Sequence, residues 1–133
     1  MKRAALAGLA YFAVVFALGF VLGSVRVLLV EPALGEFSAV LIELPVMLLA
    51  CWLVSGFWVR QLRVSTLQAA LAMGGVAFSC LMVAEFSLGA LAFERTMSDQ
   101  LQRWMTLAGA LGLGGQIAFA LFPWIQVRRA AFN

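Results

Sequence analysis

Four long apolar blocks, each ended by a short polar break, take up nearly all of this chain, and that pattern decides what it can fold into. An unbroken apolar run of about 20 residues matches a helix that crosses the hydrocarbon core of a bilayer. A helix on the surface of a soluble protein shows one apolar stripe and one polar face instead. The blocks predict spans at about 4–30, 37–59, 66–93 and 104–127. The predicted fold is all-α, an integral membrane four-helix bundle forming a single transmembrane domain over 1–133. Of the 133 residues, 65% are hydrophobic and only 11% are charged, where a soluble domain carries about 25% charge. Four spans leave no length for a second, soluble domain.

The charges fall where the blocks end. Lys2, Arg3, Arg60, Arg63, Arg128 and Arg129 share one side of the predicted bundle, with no acid among them. Arg95 and Arg103 share the other side with Glu31, Glu36, Glu94 and Asp99. Excess Lys and Arg mark cytoplasmic loops, so both termini are expected in the cytoplasm, and the Glu31 and Glu94 loops outside. Lys2-Arg3 head a block too long for the apolar region of a signal peptide, so it is read as a retained first span. The basic residues form no continuous stripe, and no nucleic-acid partner is expected. Bilayer lipid is the expected surrounding. A second copy of the chain, or another membrane subunit, is the expected partner, because four short helices enclose little volume alone.

Few side chains offer chemistry. The chain has no histidine, which removes histidine-ligated haem or copper and the usual Ser-His and Cys-His arrangements. No CxxC, GxGxxG or GxxxxGK[ST] pattern occurs. Cys51 and Cys80 lie within apolar blocks and read as small packing residues. The hydroxyls Tyr11, Ser24, Ser38, Ser55, Ser79 and Ser87 are scattered, and helix carbonyls are their natural partners. Neither an enzyme, nor a cofactor, nor a metal site is expected.

The exceptions are polar residues inside the spans. Gly19–Glu43 (GFVLGSVRVLLVEPALGEFSAVLIE) ends one span, breaks at Glu31-Pro32-Ala33-Leu34-Gly35 and opens the next. It sets Arg26 and Glu43 at membrane depth, where a charge is costly and is therefore paired or used. Glu85 lies about 13 Å inside the third span by helical rise. Gln116 is near the middle of the fourth. Each shares a helix stripe with small residues. Gly19 and Gly23 form GxxxG ahead of Arg26, Gly89 lies one turn from Glu85, and Gln116 lies one turn after Gly112 and one turn before Ala120. Small residues let helices approach closely, so Gly19, Gly23, Gly112 and Gly115 are expected at helix contacts. Pro45 frees the Leu41 carbonyl near Glu43, and Pro123 is expected to kink the last span.

Arg26, Glu43 and Glu85 all fall in the half of the membrane away from the termini. In one reading, Arg26 bridges Glu43, Glu85 or both and locks the bundle. In another, the glutamates line a cavity for a proton, a cation or a cationic substrate, with Gln116 deeper. In a third, Arg26 reaches out to Glu31 or Glu36. Two carboxylates and one guanidinium leave one uncompensated negative charge, which a bound proton or cation would neutralise.

The runs GFVLGSVRVLLVEPALGE, IELPVML, AEFSLG and GLGGQIAFALFPW together resemble a group of small four-span bacterial inner-membrane proteins that carries no assigned activity. The resemblance covers most of the chain and implies the fold and the bacterial inner membrane, but no site. Size and span count are also similar to those of the small multidrug-resistance transporters. Their essential acid lies in the first span, whereas this first span has none and ends in Arg26. The asparagine-containing motif of the fluoride channels, a family of this size, is absent. The expected function is a small homo-oligomeric transporter or channel built on the Arg26, Glu43 and Glu85 cluster. The alternative is a non-catalytic accessory or scaffolding subunit of a larger membrane complex.

Overall fold

A computed structural model describes residues 2–92, 94 and 96–132. The expected third-span terminus Phe93 and the loop charge Arg95 lie outside the described residues. The elements are α1 (Lys2–Val25), a π-helical turn (Arg26–Val30), α2 (Glu31–Leu34), α3 (Glu36–Gln61), α4 (Leu67–Ala92), α5 (Met97–Trp104) and α6 (Leu107–Phe132). Among the described residues there is no strand, and four helices are long and apolar enough to cross a membrane.

The first of these runs unbroken from Lys2 to Leu34, through most of the turn expected at Glu31–Gly35. Pro32 accounts for the difference. It has no N–H for the Leu28 carbonyl, and its ring crowds that carbonyl. The chain widens by one π-helical turn just before it, and the helix continues. The break comes at Gly35 alone, where φ is +86°, a conformation glycine adopts without the penalty of a Cβ. Gly35 N–H donates to the Glu31 carbonyl at 2.8 Å and so caps the rod.

The expected loop Glu94–Arg103 is also largely helical. Thr96 and Asp99 cap α5 reciprocally: Asp99 N–H donates to Thr96 Oγ1 at 3.1 Å, and Thr96 N–H donates to Asp99 Oδ2 at 3.0 Å. This is a capping box with aspartate in the place of glutamate. Trp104 belongs to α5, with its ring edge-on to Phe86, so the fourth span begins at Leu107. Thr66 and Thr106 hydroxyls cap α4 and α6.

The long helices form a ring in the order α1, α4, α6, α3. Sequential α3 and α4 therefore lie across the bundle from each other, as do α1 and α6. Small residues set the tight seams. A Cβ on Gly8 would come within 2.6 Å of the Met73 carbonyl, so α1 and α4 meet backbone to backbone there. Gly74 sits against the Ala120 carbonyl and does the same for α4 and α6. With lipid as apolar as leucine, such close packing is what holds membrane helices together.

Packing is uneven along the bundle. On α1 the buried residues Ala4, Ala7, Gly8, Tyr11 and Val15 all lie toward the N-terminus. On α6, Phe119, Pro123 and Val127 all lie toward the C-terminus. Beyond Val15 and before Phe119 these two helices bury nothing, although Ala39, Val40 and Gly89 are buried on their neighbours. The bundle is closed at the end bearing the termini and looser at the far end.

Candidate functional site

The looser far end holds every polar residue singled out within the spans. The structure divides them into two groups. Arg26 Nε lies 3.2 Å from Glu43 Oε2 and 3.5 Å from Glu31 Oε1. The π-helical turn makes the Glu31 contact. Neighbours on an α-helix are three or four residues apart. The i→i+5 pattern carries Glu31 over Arg26, and Glu31 N–H donates to the Arg26 carbonyl. Arg26 thus bridges α1 to α3 and holds two acids. Arg26 Nε and Glu43 Oε2 are buried atoms, and among the described residues neither finds a hydrogen bond of good geometry. The contact is a charge pair without a directed bond.

Arg26 does not reach Glu85. The reason is topological, because Glu43 on α3 and Glu85 on α4 sit across the ring. Glu85 is held by Gln116 of the adjacent α6, whose Nε2 donates to Glu85 Oε1. Gln116 Oε1 is buried and has no hydrogen-bond partner among the described residues. The cluster expected from the sequence therefore resolves into an Arg26–Glu31–Glu43 group and a Glu85–Gln116 pair. Arg103, near the end of α5, is within electrostatic range of Glu85. The two groups lie at a similar depth, because Leu44 beside Glu43 packs at the position of Gly115 beside Gln116.

The small residues expected at helix contacts take different roles. A Cβ on Gly115 would come 2.8 Å from Leu44 Cδ1, so Gly115 is a close approach of α6 to α3. Gly19 faces Met47 at ordinary contact distance. Gly23 faces only the Arg26 guanidinium, at 3.9 Å, and leaves room for it. Around Gly112 there is open space.

A second polar layer lies at the closed end. Tyr11 OH donates to the Phe119 carbonyl at 2.7 Å, across the diagonal between α1 and α6, and its ring stacks on Phe119. Ser55 Oγ donates to Gln126 Oε1 at 2.6 Å, and Gln126 Nε2 donates to the Trp52 carbonyl at 2.8 Å. Sequence reasoning passed over Gln126 and grouped Tyr11 and Ser55 with scattered hydroxyls. A signal was present. Pro123 lacks the N–H that would bond Phe119, four residues earlier, so a donor from another helix was required there.

Chemically, the Glu85–Gln116 pair presents oxygens in excess of donors. It suits a guest that brings a proton or positive charge. The Arg26 group is already supplied with a cation. No protein-family model matches the chain, and no curated protein or solved structure is significantly similar to it.

Proposed function

We propose that this is a multi-pass protein of the bacterial inner membrane, with both termini in the cytoplasm, that works as a small homo-oligomeric transporter or channel for protons or small cations. The orientation rests on six basic residues and no acid at the closed end, with acids in both far loops. The observation that carries the transport reading is the Glu85–Gln116 pair. It is a carboxylate held by one neutral donor, with Arg103 in electrostatic range and beside it an amide oxygen that has no partner among the described residues, in the looser half of the bundle. Intramembrane acids in such settings mark ion and proton pathways. The π-helical turn at Arg26 adds support, since such turns are frequent at functional sites. The role assigned to Arg26 is to fix Glu43 and Glu31, leaving Glu85 as the group that exchanges its guest.

The test is flux in proteoliposomes. Wild-type vesicles are expected to move protons or monovalent cations faster than empty ones. Glu85→Gln is expected to lower that flux at least tenfold while keeping the wild-type circular dichroism. Wild-type vesicles no leakier than empty ones would sink the reading.

A second reading, an accessory subunit of a membrane complex, is favoured by a separate observation. Gly75, Gly112 and Gly114 carry open space where a Cβ would be, as a helix surface awaiting a neighbour does. Purification in mild detergent is then expected to recover a stable companion protein. A homo-oligomer with no companion would count against it.

A further inference from the structure

We infer that Tyr11, Ser55 and Gln126 form the closing layer of the bundle, the set of contacts that parts when anything held at Glu85–Gln116 passes to the side of the termini. The inference rests on the transport reading and assigns that reading its inner barrier.

Position comes first. Ser55 lies twelve residues beyond Glu43 on α3, and Gln126 ten beyond Gln116 on α6. By helical rise, the two polar layers are about 15–18 Å apart. Between and around the lower layer are fully buried Met73 and Ala77 and the nearly buried Phe119. Tyr11 and Ser55 are themselves fully buried. A guest at the far layer meets this barrier on the direct route to the terminus-bearing end.

The bonds in the layer are of a kind that can exchange. Each joins neutral groups on different helices. α6 is held at Phe119 by a bond from Tyr11, because Pro123 has removed the internal one. Proline positions are where helices bend most readily, and this one is restrained from outside the helix. About two turns beyond Phe119, Gln126 binds α3 twice, through Ser55 and through the Trp52 carbonyl. Gly56 makes room for it: a Cβ there would stand 3.3 Å from Gln126 Nε2. The segment of α6 from Phe119 to Gln126 is thus tied to α1 and α3 by three hydrogen bonds around a proline. Releasing them frees the part of α6 beyond Pro123, while the Gly74 seam still holds Ala120 against α4.

Cys51 reports on this layer. It is 4% exposed and packs in the same core cluster as Tyr11. The experiment measures its alkylation by a membrane-impermeant maleimide applied from the terminus-bearing side, in Cys80→Ala protein. Tyr11→Phe keeps the ring and removes the hydroxyl, and Gln126→Ala removes the two bonds to α3. Each is expected to raise the Cys51 rate at least tenfold. Cys80, followed in Cys51→Ala protein with the same substitutions, is expected to keep its wild-type rate.

An unchanged Cys51 rate in both folded variants would overturn the inference. So would a parallel rise at Cys80, which signals general loosening. Loss of the folded state in both variants would make the layer a determinant of the fold and overturn it too. Labelling needs no substrate, so the two proposals fail separately. Flux with an inert Cys51 removes the closing layer alone. Tyr11-dependent labelling without flux removes transport and leaves a layer that closes the bundle.

Discussion

Single atoms decide several positions in this bundle. Gly74 abuts the Ala120 carbonyl, where even one methyl group does not fit, whereas Gly112 faces open space. Gly74→Ala is expected to cost about 1–3 kcal/mol, the range for overpacking a well-filled site. Gly112→Ala is expected to be neutral or to stabilise by about 0.4–1 kcal/mol. Thermal unfolding in detergent checks both, and equal effects would refute the seam. Charge follows the same logic. Arg26 serves Glu43 and Glu31 at once, so Arg26→Met leaves two acids without their cation. The loss is expected to stay below the roughly 3–5 kcal/mol of a fully buried pair, because both partners of the closer contact are partly exposed. Adding Glu43→Gln to Arg26→Met is expected to recover part of it, as a melting curve of the double variant will read. The sequence identified Arg26, Glu43, Glu85 and Gln116 by their cost in an apolar span, without homologues. It did not give their pairing, because hydropathy carries no record of which helices are neighbours.

Helices and their breaks carry the next level of explanation. Glu31 meets Arg26 only because the turn between them is π-helical, and Pro32 gives that turn its cause. Pro32→Ala is expected to let the segment relax to an α-helix and swing Glu31 away from Arg26. A double-mutant cycle between Arg26→Met and Glu31→Gln, run with and without Pro32→Ala, measures this. Coupling is expected in the parent and absent in the Pro32→Ala background. Equal coupling in both would contradict the role of the turn. The span pattern was legible because about 20 consecutive apolar residues have few other folded uses. The π-helical turn was not, since Pro32 and Gly35 read as an ordinary break. Helix α5 was hidden by its polarity, although Thr96 and Asp99 stand at capping-box spacing. Pro123 was expected to kink the last span, helix α6 runs on through it, and the donor that its freed carbonyl demanded could have been sought among Tyr11 and the serines.

Across the whole molecule, the ring order α1, α4, α6, α3 explains the site. It sets Glu43 and Glu85 on opposite helices, lets Gln116 reach Glu85, and brings Tyr11 to Phe119 over the diagonal. In protein lacking Cys51 and Cys80, Leu44→Cys with Gly115→Cys is expected to cross-link on oxidation, and Glu43→Cys with Glu85→Cys is not. The reverse outcome would require a different ring. The order also accounts for the uneven packing. Alanine and glycine crowd the first half of α1, while Phe20, Val21 and Val25 in its second half and Leu28 in the π-helical turn are exposed. One end closes on backbone contacts, and the other keeps its polar residues apart. The transport account turns on that asymmetry, with access to the Glu85–Gln116 level from the acidic side only. The direct measurement is the labelling of Gln116→Cys, in protein lacking Cys51 and Cys80, by an impermeant maleimide in right-side-out and inverted membrane vesicles. Labelling in right-side-out vesicles alone is the expected result. Labelling only in inverted vesicles would reverse the orientation, and none in either would close the far end and remove the site.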